Sequence, residues 1–305
     1  MIDDYGHDDF NNLLKYEIEG KFREASLSLE SSYDKGYPDA VATMRINKHM
    51  DLSKENPFRI QTLTELALRG NDVAEFCVGA RYIYGMNVPK DVEKGLYWLD
   101  KSVSKNNADA CYHLGKYLEK NTFKNYDSTE LIRKAAEMKH PLAQNDLARK
   151  YLNGTFEYNP SKSLQLYLEA GDNGYWVATR HAAEMYYSGK DIERDFEKAF
   201  ELYCKAADAG DQESCLMVAE MIENGEGTDK DVSEAIRLYA LLAINYSRNG
   251  KRFCNEAAYR LGMIFEKGTD VEIDYEDAYY WYSRAAEKGH DKAKKATLRV
   301  KNLLK

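Results

Sequence analysis

The sequence predicts an all-α protein made of stacked, antiparallel helix pairs. Three observations predict it. A segment of about 35 residues recurs along the chain, and small residues recur inside it at a fixed five-residue offset. Only 5 prolines interrupt 305 residues, so little stands against continuous helix.

The recurring segment reads "GNDVAEFCVGARYIYG" from Gly70, "NNADACYHLGKYLEKN" from Asn106 and "KHPLAQNDLARKYLNG" from Lys139. It returns as "GYWVATRHAAEMYYSG" from Gly174, "GDQESCLMVAEMIENG" from Gly210 and "FCNEAAYRLGMIFEKG" from Phe253. Each copy has a small residue fifth: Ala74, Ala110, Ala143, Ala178, Ser214 and Ala257. Five residues on comes a second: Gly79, Gly115, Ala148, Ala183, Ala219 and Gly262. Small residues on one face let a second helix approach closely. A large residue three positions later (Tyr82, Tyr151, Tyr186, Ile222, Phe265) fills the seam at helical spacing. Glycine then ends most copies, as expected just past a helix C-terminus.

A second helix follows in each unit, opened by Asp91, Asp195, Asp231 or Asp274, which can cap the free amides. A pair of helices this short cannot bury both faces alone, so the units must stack. The expected organisation is a degenerate leading helix pair at 1–38, about seven units over 39–290 and a C-terminal capping helix at 291–305. The loop near Asn121–Lys124 is short for the pattern. Extra residues at Ala243–Phe253 should lengthen a second helix or form a protruding turn. The last segment, "DKAKKATLRVKNLLK", has a helical pattern whose lysines would keep the end of the array in water.

These motifs resemble the Sel-1-like repeat, a relative of the tetratricopeptide repeat. The copy running from Ala178 through "DFEKAFELYCKAADAG" matches that family's unit nearly throughout, and the last copy keeps "WYSRAAEKG". The resemblance implies a right-handed superhelical solenoid of antiparallel helix pairs. It also implies a non-enzymatic adaptor or scaffold that holds a protein or peptide partner in a concave groove. An immunity protein that neutralises a cognate bacterial effector or toxin is the alternative reading. A hydrolase related to the cysteine-rich, β-lactam-binding repeat proteins ranks lower. Those relatives pair a Cys just after the small Ala with one eight positions earlier. Here Cys111 and Cys215 face Val103 and Ala207 at the partner positions.

Composition narrows the function classes. The net charge is −8, from 51 acidic and 43 basic residues, whereas a general nucleic-acid binder needs a basic footprint. No run approaches the 18 apolar residues of a membrane span, and the acidic N-terminus lacks the pattern of a signal peptide. Five cysteines without a CxxC pair suit free thiols in a reducing cytoplasm, which sets the expected localisation. No HExxH, nucleophile elbow or phosphate loop occurs, so no catalytic residue, metal or cofactor is expected. His140 and His290 fall in the turns between units, where a structural role is expected.

In related arrays the first helix of each unit lines the groove. Positions −1, +2, +6 and +9 from the small residue are then the candidate contacts. They give Ile46, Phe76, Ile83 and Tyr112 early in the chain, and Arg149, Arg180 and Tyr187 in the middle. Glu220, Glu223, Tyr259 and Glu266 close the series. The drift from apolar to acidic predicts a groove that takes an apolar segment at one end and a basic segment at the other.

Overall fold

The computed structural model describes residues 58–85, 88–121, 127–244, 251–268 and 270–304. The leading pair at 1–38, Ile46 and most of the short loop after Asn121 lie outside the described residues.

Low proline content and the small-residue registers produce fourteen helices and no strand among the described residues. They are α1 (Phe58–Leu68), α2 (Asp72–Tyr84), α3 (Val92–Ser104), α4 (Ala108–Lys120) and α5 (Ser128–Glu137). Next come α6 (Pro141–Leu152), α7 (Pro160–Asp172), α8 (Trp176–Ser188), α9 (Phe196–Asp208) and α10 (Gln212–Asn224). The last are α11 (Val232–Ile244), α12 (Lys251–Lys267), α13 (Tyr275–Glu287) and α14 (Asp291–Leu303). Even-numbered helices are the first helices of the repeat.

The chain divides into two compact units, Met1–Ala143 and Gln144–Lys305. In the first, α1 to α5 pack each on the next, and α2 also touches α4. In the second, α7 to α14 do the same, and α10 touches α12 as α12 touches α14. Contacts between sequence neighbours and between successive first helices are the packing signature of a repeat array.

The helix ends follow the sequence. Asp91, Asp195, Asp231 and Asp274 each accept a backbone N–H from the first turn of their second helix. Asp127 and Asn159 do the same for α5 and α7. Gly85 and Gly225 end α2 and α10 with φ of 72° and 74°, a conformation that a β-carbon disfavours.

The small residues set helix separation. A β-carbon on Gly79 would lie 2.8 Å from Leu99 Cγ and 2.9 Å from Leu99 N, so α2 and α3 meet nearly backbone to backbone. On Gly262 it would lie 2.5 Å from Cδ1 of Tyr282, a fully buried ring. The cores are separate clusters between neighbouring helices: Ala148, Tyr167 and Ala178 join α6 to α8, and Ala183, Tyr203 and Met221 join α8 to α10. Tyr239, Leu261, Tyr282 and Val300 join α11 to α14.

Of the extra residues expected at Ala243–Phe253, 245–250 lie outside the described residues. The second helix before them, α11, is described over Val232–Ile244, 13 residues, the length of α9 and α13. The first helix that follows is the longer one: α12 has 17 residues and begins four before the usual register.

Candidate partner-binding face

The expected contact positions fall into three groups. Phe76 and Ile83 are each only 1% exposed and belong to the core, which corrects their placement on an open groove. All four positions of α2, with Val73 and Ala80, are apolar and buried, because a side chain unable to hydrogen-bond gains most by leaving water.

Tyr112 and Tyr259 are half-buried and hold the turn after their own unit. Tyr112 stacks on His140 with ring centroids 4.7 Å apart, and Tyr259 stacks on His290 at 4.6 Å. His140 Nε2 lies 3.1 Å from Asp109, and His290 Nε2 lies 3.0 Å from Glu256. The other nitrogen of each ring accepts the amide of Ala143 or Ala293, so both histidines are helix N-caps. Elsewhere Asn71, Asn107 and Asp211 fill that place.

The third group lies on the first helices of the second unit and forms a ladder of charge. Arg180 on α8 bonds Glu184 and lies 3.2 Å from Asp211 and 3.1 Å from Glu213 across on α10. Glu220 on α10 pairs with Arg260 on α12, which lies 3.6 Å from Glu256. Arg299 on α14 grips Glu266 through two nitrogens, at 2.7 and 2.6 Å. Each arginine thus ties one first helix to the next. Arg149, 61% exposed, bonds only within α6, to Asp146.

Tyrosine hydroxyls complete the ladder. Tyr239 donates to Glu223 at 2.8 Å, Tyr282 to Glu266 at 2.7 Å and Tyr187 to Glu226 at 2.9 Å. Burial and the Glu226 carboxylate push the Tyr187 hydroxyl up to about 12, so it remains a donor at physiological pH. Burial raises the carboxyls of Glu184 and Glu220 against the pull of Arg180 and Arg260. The Arg299 fork holds Glu266 below the usual carboxylate range.

Sequence reasoning missed Arg260, Arg299 and Glu226 as parts of this face, whereas Glu213 falls at position −1 of its copy. Arg299 occupies position +6 of the last copy, whose lysine-rich helix reads in the sequence as a solubilising cap. Arg260 sits at +3, one residue beyond Tyr259, and only the packing of α12 beside α10 shows that it reaches Glu220.

His181 differs from the capping histidines. It contacts Asn145 at 3.2 Å, and burial with Arg180 and Arg149 nearby pushes it down to about 4. Cys77, Cys111, Cys204, Cys215 and Cys254 form no disulfide with one another. Among the described residues no cluster of His, Cys, Asp and Glu could hold a metal ion, and no helix is long and apolar enough to cross a membrane.

The Sel1 repeat profile matches six segments: 73–107, 108–140, 141–175, 177–211, 212–245 and 255–290. No curated protein matches the chain. Among solved structures, a protective antigen present in uropathogenic Escherichia coli strains and displaying an SLR fold aligns with a TM-score of 0.59 and 22% identity. That alignment covers 88% of this chain, which spans 65% of the antigen's length. A Sel1 repeat protein from Oxalobacter formigenes aligns with a TM-score of 0.56 and 25% identity, over 74% of this chain and 90% of that one.

Proposed function

Because this chain belongs to the Sel1 repeat family, a family of protein–protein interaction modules, we propose that it is a non-enzymatic adaptor. Its partner is a protein or peptide with a basic segment, held against the first helices of the second unit.

One observation carries this reading: carboxylates outnumber arginines on that face. Glu184, Asp211 and Glu213 surround a single guanidinium, Arg180, and Glu220 and Glu256 share Arg260. The internal arginines hold the helices together and leave negative charge over. A basic partner supplies the missing cations, and such complementarity sets specificity and speeds encounter. Half-buried Tyr187 and Tyr259 add ring surface of the kind enriched in interfaces. Tyr112 offers similar ring surface in the first unit, whereas Phe76 and Ile83 offer none.

The test uses the partner captured from native lysate and then purified. Glu213→Lys and Glu226→Lys should each weaken its binding by about tenfold, equivalent to 1.4 kcal/mol. Glu197→Lys, an exposed change on second helix α9, should leave affinity unchanged. Equal effects from all three, or none, would contradict the reading.

A further inference from the structure

Two of the turns between units are capped by histidine where others use asparagine or aspartate. The contacts at His290 make one of them a place where proton uptake and helix capping compete. His290 Nδ1 accepts the amide of Ala293 at 3.1 Å, and Nε2 lies 3.0 Å from Glu256. Nδ1 must therefore carry a lone pair, which leaves the ring's single hydrogen on Nε2, pointing at the carboxylate. Tyr259 stacks on the ring, and the imidazole is only 14% exposed. His140, Asp109 and Tyr112 repeat the same three contacts in the other unit.

We infer that His290 is an acid-sensitive latch, holding the first turn of α14 only while its imidazole is neutral. Imidazole changes charge between about pH 5 and 8. The Nε2 hydrogen that Glu256 accepts is present in both states. The Nδ1 lone pair exists only in the neutral one. On protonation Nδ1–H points at the Ala293 N–H and at the positive end of the α14 dipole, so the cap is lost and the ring is repelled.

The other charges around the ring do not reverse this. From α12, Glu256 attracts an imidazolium, but it is a third exposed and is already engaged by Arg260. The remaining α12 neighbour is Tyr259, and from α13 comes Tyr282, whose ring lies 5.5 Å from that of Tyr259. Glu287 and Lys288 lead into the turn. On α14, Asp291 is bonded to Lys294 at 2.9 Å and lies beside Lys295, and its carboxylate is exposed, so water screens its attraction for the ring. The dipole and the amides act at contact distance on Nδ1, which loses its acceptor lone pair on protonation, while the Nε2–H bond to Glu256 is made in both states and strengthens when the ring is charged.

The experiment is amide exchange on the full chain at pH 7.5 and 5.5, corrected for intrinsic rates, with His290→Asn as comparison. Asparagine is the cap at positions 71 and 107, so the variant keeps a cap that does not titrate. In the wild type, protection at Ala293 and Lys294 should fall about tenfold on acidification. It should change less than twofold in His290→Asn, and equally little at Ala110, which Asn107 caps. Identical pH profiles in the wild type and the variant would overturn the latch, as would undiminished protection of Ala293 at pH 5.5.

Discussion

The same repeat positions do different work in the two units. In α2 they hold Val73, Phe76, Ala80 and Ile83, all buried. In α8 they hold Val177, Arg180, Glu184 and Tyr187, all half-buried and most of them charged or aromatic. A position on the first helix of a repeat is therefore not in itself a binding position. In α2 the apolar side chains there join the core, and in α8 Arg180, Glu184 and Tyr187 stay in reach of water and of a partner.

The largest test of that contrast is a pair of truncations. Phe76→Ala should destabilise the protein by about 3–5 kcal/mol, the range for deleting a buried ring. Arg149→Ala, at an exposed candidate contact position of the second unit, should stay within about 0.5 kcal/mol. Urea unfolding followed by circular dichroism measures both. Comparable losses would mean that the two units do not differ as described.

The seams should be nearly as sensitive. Gly262→Val would drive side-chain atoms into the buried Tyr282 ring and should cost about 1–3 kcal/mol by overpacking. A melting temperature within a degree of wild type would show that α12 and α13 can move apart freely.

A smaller effect concerns pH. His181 is pushed down to about 4 by burial and by Arg180 and Arg149. The unfolded chain therefore takes up a proton that the folded one refuses, so the contribution is full above about 6.5 and is lost as pH falls towards 4. His181→Asn should flatten the stability profile across that window. A variant that loses stability there as steeply as the wild type would show that His181 does not supply the effect.

The smallest expected change is Glu266→Gln. Arg299 holds that carboxyl low, so its contribution is present above the usual carboxylate range and disappears as pH falls through the depressed value. Arg299 is 60% exposed, which limits the loss at neutral pH to about 0.2–1 kcal/mol. Thermal melts at pH 7 and at pH 3 should show the variant converging on wild type in acid.

The fold was legible because its determinants are local. Small residues such as Gly79 and Gly262, caps such as Asp91 and Asp274, and helix-ending glycines such as Gly225 act within one pair of helices and repeat in register. The candidate face was legible only in part. Periodicity indicates that Phe76 and Arg180 share a position, but burial depends on neighbours more than thirty residues away. The bond from Arg260 to Glu220 spans two helices, and nothing in the spacing of either segment announces it. The capping histidines were visible as turn residues. Their bonds to Asp109 and Glu256, which determine the tautomer, required the packed helices.

The central claim is that the partner meets the first helices of the second unit and leaves α2 untouched. Amide-exchange footprinting of the purified complex tests it most directly. New protection confined to α8, α10 and α12, with α2 and the second helices unchanged, is the predicted result. Protection centred on α2, or on α9 and α11, would contradict it.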